Sequence, residues 1–232
     1  MKSDTSRRDI LRWSALASTG AVVAACSNDA GGGNDAGADA NPSDGGNDAA
    51  IGLLNALLSA EWAAVAAYGA GASILQAPPQ NDPLAASAPV FLAVATHFQA
   101  QHQAHAGALG SAIVQLGGTP VDQSSVTFTP PAGFTASVTN VLKLAANAEK
   151  AASIAYNATV PQLPQSNELR FLAGSILGDE TQHFVLLYSL LKGVAAAGPN
   201  VSTGANQIAP TDFVSTVGSD MGLQSVADFT YS

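Results

Sequence analysis

AEWAAVAAY, residues 60–68, returns as AEKAASIAY, residues 148–156. Each copy places a glutamate seven residues before a tyrosine in an alanine-rich setting, and alanine is the strongest helix former. Each copy is also followed by a pair of donor residues at i, i+3 spacing: His102 and His105 after the first, Glu180 and His183 after the second. Residues three apart on a helix share a face. Two carboxylate-bearing helices, each trailed by a helix with two donors on one face, are the parts from which four helices assemble an interior metal site.

Working outward from the repeat, apolar residues at three- and four-residue spacings predict four helices. The first is expected from Ile51 to Leu75, before Pro78 and Pro79; the second from Ser87 or Pro89 to Gly117 and Gly118. The third is expected from Thr135 to Val160, and the fourth from an N-cap at Ser166 to Gly193 or Gly198. None of them reads as an uninterrupted membrane span. Short joins within each pair imply antiparallel hairpins, whereas the stretch from Gly117 to Phe134 is long enough, at about 3.3 Å per residue, to run the length of the bundle. The fold class is therefore all-α: a four-helix bundle of two antiparallel hairpins joined by a long crossover. Counting residues from each turn puts Glu61 level with His102, and Glu149 within about one helical turn of Glu180.

The whole chain has four glutamates (61, 149, 168, 180) and four histidines (97, 102, 105, 183), and three of each fall in the repeated pattern. Glu61, His102, His105, Glu149, Glu180 and His183 thus form a candidate set of six donors. Mixed carboxylate and imidazole donors suit iron, manganese or zinc better than calcium or magnesium. Tyr68 and Tyr156 read as core tyrosines with satisfied hydroxyls rather than electron relays. His97 points away from the other two histidines and reads as a surface or helix-packing residue, and Asp179 is a candidate for orienting a ligand histidine. No Ser/His/Asp or Cys/His arrangement and no phosphate loop stands out.

With these residues in hand, the chain from about Ile51 to Lys192 resembles the ferritin-like superfamily, in particular exported bacterial ferritin-like domain proteins. The resemblance implies metal ligation by Glu61, Glu149, Glu180 and His183, with one or two irons as the occupant and manganese or zinc as substitutes. Helix 2 departs from the family pattern: His102-x-x-His105 stands where Glu-x-x-His is usual. Three carboxylates then face the four positive charges of two divalent ions, which makes one metal more secure than two. The implied activity is oxidation of ferrous iron or removal of peroxide. The alternative is a non-enzymatic envelope or stress-associated protein with a structural zinc, a single ion or a vestigial site.

The remainder of the chain speaks to location. Four of the eight basic residues lie in the first twelve positions: Lys2, Arg7, Arg8 and Arg12. They precede an apolar stretch from Trp13 to Ala25 and the sequence Val23-Ala24-Ala25-Cys26. Residues 1–25 resemble a twin-arginine signal joined to a lipobox, which implies acylation of Cys26 and anchoring to a membrane of the cell envelope. Ser27 leans towards the periplasmic face of the outer membrane in a Gram-negative cell. Residues 26–50, poor in large apolar side chains, read as a disordered tether, residues 51–198 as the bundle and 199–232 as an extension packed on its outside. Cys26 is the sole cysteine, so no intramolecular disulfide is available. An acidic chain of net charge −9 without basic clusters argues against nucleic acid as a partner. The oligomeric state is left open, with a dimer as the working expectation.

Overall fold

The computed structural model describes residues 44–165, 167–192, 223 and 226–231. Among these every regular element is helical. Four long helices carry the fold: α1 (Asp44–Gln76), α2 (Ala88–Gln115), α3 (Val138–Thr159) and α4 (Asn167–Leu191). Short 3-10 turns occupy Ala85–Ser87, Gln123–Ser125 and Val160–Gln162. The signal segment, Cys26, the tether up to residue 43, the cap expected at Ser166 and the stops expected at Gly193 and Gly198 lie outside the described residues.

Two helix starts differ from expectation. α1 begins at Asp44 rather than Ile51, so the last seven residues assigned to the tether belong to the bundle. Their composition is tether-like, yet Ala49 and Ala50 are good helix formers, and Ala50 is fully buried in the cluster that holds Leu54 and Leu58. An acidic residue in the first turns, Asp48, also complements the positive end of the helix dipole. α3 begins at Val138 rather than Thr135. Ser137 is extended (φ −157°, ψ 156°) and its side chain accepts from the Asn140 amide at 3.1 Å, which makes it the N-cap. Thr135 sits outside the helix and accepts the Asn140 side-chain amide through both its carbonyl (3.0 Å) and hydroxyl (2.9 Å).

Cross-helix contacts set the directions. Gln99 Nε2 donates to the Val65 carbonyl at 2.9 Å and His102 meets Glu61, so numbering rises on α2 as it falls on α1. In the second hairpin His183 meets Glu149 while Thr181 donates to Ser153, again antiparallel. The crossover starts at the foot of α1, where Asn55 donates to the Thr119 carbonyl (3.1 Å) and accepts from the Val121 amide (2.8 Å). It ends at the opposite end of the bundle, where Asp82 of the α1–α2 turn accepts from the Val138 amide at 2.6 Å and the Leu84 amide at 2.9 Å. The linker therefore runs the bundle's length. Gly118 takes part in a close approach that only glycine permits, since an added Cβ would lie 2.8 Å from Ile51 Cγ2.

Contrary to expectation, Gly46–Gln76 of α1 is long and apolar enough to qualify as a membrane span, with mean hydropathy 1.5. Alanine raises hydropathy without adding bulk. The helix belongs to the bundle core, because Leu54, Leu58, Glu61, Val65 and Tyr68 are all buried on its inner side. The core forms two apolar clusters, one with Leu54, Leu109, Ile113 and Tyr156, the other with Tyr68, Phe98, Leu142 and Phe184.

Of the C-terminal extension, Leu223 and residues 226–231 pack back on the bundle. Asn147 donates to the Phe229 carbonyl (2.9 Å) and accepts from the Phe229 amide (2.8 Å), and Lys150 donates to the Val226 carbonyl (2.7 Å) while pairing with Asp228. Phe229 also lies against Tyr188, with ring centroids 5.5 Å apart.

Asp82→Ala removes two hydrogen bonds, one of them to the first turn of α3. It is expected to destabilise the protein by about 1–2 kcal/mol, read as a lower denaturant midpoint at unchanged slope.

Candidate metal centre

Each donor arrives from a helix for a local reason. Glu61 and Glu149 occupy the second place of the two repeats on α1 and α3, and the tyrosine seven residues on lies two turns away on the same side, about 10 Å along the axis. Because α1 and α3 run antiparallel, each tyrosine comes level with the other repeat's glutamate. Tyr68 Oη donates to Glu149 Oε1, and Tyr156 Oη donates to Glu61 Oε1. Burial and the carboxylates Glu149 and Glu180 push the Tyr68 phenol well above its ordinary value; burial and Glu61 do the same for Tyr156. Both phenols hold their protons and donate them.

All six predicted donors are brought together, and all are buried: Glu61 2%, His102 2%, His105 8%, Glu149 1%, Glu180 0% and His183 2% exposed. They fall into two overlapping sets, Glu61, His102, His105 and Glu180 on one side and His102, Glu149, Glu180 and His183 on the other. Within each set the donor atoms lie within 4.8 Å of one another. Glu180 and His102 are common to both.

The three histidines are held differently. His105 Nε2 donates to Asp179 Oδ2 at 3.2 Å, and its Nδ1 lies 3.0 Å from Glu180 Oε1 and 3.6 Å from Glu61 Oε2. His183 Nε2 donates to Gln101 Oε1 at 3.0 Å, and its Nδ1 faces Glu149 Oε2 at 3.3 Å. In each case an outer partner holds Nε2 and turns Nδ1 inward, which is how metal-ligating histidines are oriented. Phe98 stacks on His183 with ring centroids 3.8 Å apart and locks its plane. His102 has no outer partner. Its Nδ1 lies 2.7 Å from Glu61 Oε2 and its Nε2 3.1 Å from Glu149 Oε1, so it bridges the two repeats.

The charges follow from this geometry. Burial works against charge on His102, but Glu149, Glu61 and Glu180 outweigh it and raise the imidazole well above its ordinary value. Burial would likewise raise Glu61 and Glu149. The His102 hydrogen bond and the charges of His102 and His105 instead hold Glu61 below the carboxylate range, and the charge and hydrogen bond of His102 with the hydrogen bond of His183 hold Glu149 well below it. At Glu180 the His102 charge is outweighed: burial, then the repulsion of Glu149 and Glu61, push its carboxyl up to about 11. Neither of its oxygens has a hydrogen bond, and neither does His105 Nδ1 despite their 3.0 Å separation. Orphaned buried polar atoms are costly, and their convergence on one point is what a cation between them would satisfy. The donor set and its unmet oxygens fit a transition metal.

His97 is exposed, beside Phe98 and outside the cluster, as expected. Asp179 orients His105, as the sequence allowed. Sequence reasoning missed Gln101 and the crossed tyrosine–glutamate pairs. Gln101 lies one turn before His105, on the same side of α2, and that spacing was the available signal. The crossed pairs needed the antiparallel register of α1 and α3.

The profile described as Ferritin-like domain matches residues 49–193. Among solved structures, a bacterioferritin of Desulfovibrio desulfuricans, solved with its diiron site in different catalytic states, is similar to this chain with TM-score 0.52 and 18% identity. The match covers 69% of this chain and 88% of that one. A search of curated proteins finds no match.

Because His102 and Glu180 hold protons in the metal-free site, both raised above their ordinary values, a metal that uses them must displace those protons. Affinity should rise with pH and fall with acid. Chelator-competition titrations at three pH values check this, and a flat profile contradicts it.

Proposed function

The chain belongs to the ferritin-like domain family, and from that premise we propose that it is an iron-binding redox protein of the cell envelope. The observation that carries the metal is Glu180: a carboxylate with both oxygens buried and unbonded, at the meeting point of two four-donor sets. Bound iron would supply one-electron chemistry, directed at ferrous iron as substrate or at peroxide.

The chain's own residues set how such a site is loaded. Glu61 with His105, and Glu149 with His183, form the two outer corners, and Glu180 can serve both. A neutral imidazole offers one lone pair, so His102 joins one corner or the other and leaves two ions unequally held. Three carboxylates against two divalent ions leave a net positive charge, which favours an added anion or a single ion. The phenols of Tyr68 and Tyr156 keep Glu149 and Glu61 in place and hold a proton on each. Manganese is compatible with the same donors. Zinc, favoured by three imidazoles, is the second reading, and with it the role is structural.

Location rests on the first 26 residues. A twin-arginine motif, a short apolar stretch and Cys26 in a lipobox support export and acylation, with residues after Cys26 spacing the bundle from the membrane.

Protein produced through its own export route is expected to carry at least one iron per chain, with a near-ultraviolet band that develops on exposure to oxygen. Glu180→Ala and His183→Ala should each lose most of the metal. One redox-inert zinc per chain would overturn the redox reading, and unchanged metal content in both variants would overturn the site. Separately, Cys26→Ser should move the protein from the membrane fraction to the soluble one; continued sedimentation with membranes would contradict the anchor.

A further inference from the structure

The alanines of the doubled segment do something their composition does not announce. On α1, Ala60, Ala63, Ala64 and Ala67 share one face at i, i+3, i+4, i+7, and the four alanines at the same places of the second repeat, from Ala148 to Ala155, face them on α3. Methyl groups this small do not fill the space between the helices. They wall a cavity of about 450 Å³ whose inner end reaches Glu61, Glu149, Tyr156 and His102. Its outer wall is made by two pieces of chain from far apart: Phe128 and Pro131 of the crossover, and Phe229 and Tyr231 of the C-terminal strap.

We infer that this cavity is a binding site for an uncharged apolar small molecule, held with one end at the metal centre. The volume lies in the range of small-molecule sites, roughly 300–1,000 Å³. An apolar cavity of about 150 Å³ accommodates benzene, so 450 Å³ has room for a hydrocarbon-like molecule about three times that size. The walls argue against a peptide occupant, whose backbone amides and carbonyls need partners. Apart from the metal-site residues at the inner end, the chief polar side chains are Asn147 and Asp228. Asn147 is already paired in both directions with Phe229, and Asp228 with Lys150. A charged ligand is disfavoured by the same scarcity. The strap is therefore a wall of the site: Asn147 and Lys150 hold it across the cavity from α3, the helix that also supplies Glu149.

The inference does not depend on the metal, so its test is run on full-length protein both stripped by chelator and loaded with iron. The probe is N-phenyl-1-naphthylamine, an uncharged fluorophore of suitable size. Saturable binding of about one probe per chain is expected in both forms. Ala64→Leu with Ala151→Leu fills the cavity from both sides and should weaken binding by at least about tenfold, with helix content by circular dichroism showing that the bundle is intact. Should the double variant fail to fold, Ala151→Leu alone carries the same reading with a loss of about threefold. Phe171→Ser removes an exposed aromatic remote from the cavity, 77% accessible, and should leave binding unchanged. Non-saturable binding, binding abolished by Phe171→Ser, or binding indifferent to the leucines in a folded protein would each overturn the site. So would failure of the wild-type chain to bind the probe, the result expected if another part of the chain or a second copy already fills the cavity.

Discussion

Burying Glu61, Glu149 and Glu180 together at mid-bundle is the constraint from which the rest of this structure follows. An unpaired carboxylate in an apolar interior is among the least favourable groups a fold can contain. Here two of the three are stabilised by His102 between them and by a phenol on each, while the third stays protonated, its pKa raised to about 11. The apolar core is consequently arranged as two clusters, and the tyrosines join them to the polar centre. Tyr156 has its ring among Leu54, Leu109 and Ile113, and Tyr68 has its ring beside Phe98 and Phe184, while both hydroxyls reach carboxylates.

The same constraint fixes register. Were α3 shifted along α1 by one residue, Tyr68 and Tyr156 would lose both glutamates at once, leaving four buried polar groups to be matched anew. The two crossed bonds thus act as a paired key between the hairpins along the α1–α3 seam, whose alanine faces supply little interlocking bulk. Large apolar side chains from both hairpins fill the two clusters; polar pairing sets the register between α1 and α3.

How much of this was legible in the sequence depended on whether a feature was periodic. Helices, crossover and the candidate set of six followed from apolar spacing, loop length, the doubled segment and the two i, i+3 pairs, whose members share a face whatever the tertiary detail. The start of α1 did not, because Asp44 to Ala50 carries a tether's composition and its place in the helix rests on Ala50 burying against Leu54 and Leu58. The tyrosine pairing did not, because it exists only once two helices from different hairpins are placed antiparallel. Abundant alanine read as helix-forming, and at the α1–α3 seam it also yields a cavity, since small residues permit approach without compelling it. Of the extension expected on the outside, the described residues 226–231 pack on the bundle as a strap, whose role as a wall depends on Asn147, an asparagine with no periodicity to flag it.

The symmetry of the two halves is broken at position 102, and the consequence is electrostatic. A glutamate there would set a fourth carboxylate against Glu61, Glu149 and Glu180, and a metal-free bundle would have to protonate several of them or open. A histidine can carry the compensating charge itself: its two N–H groups reach Glu61 and Glu149, one from each repeat, where a cation would otherwise be needed. Such a charge satisfies two carboxylates from within the fold. The same imidazolium would have to give up its proton before a metal could use it, so what stabilises Glu61 and Glu149 would compete with metal binding.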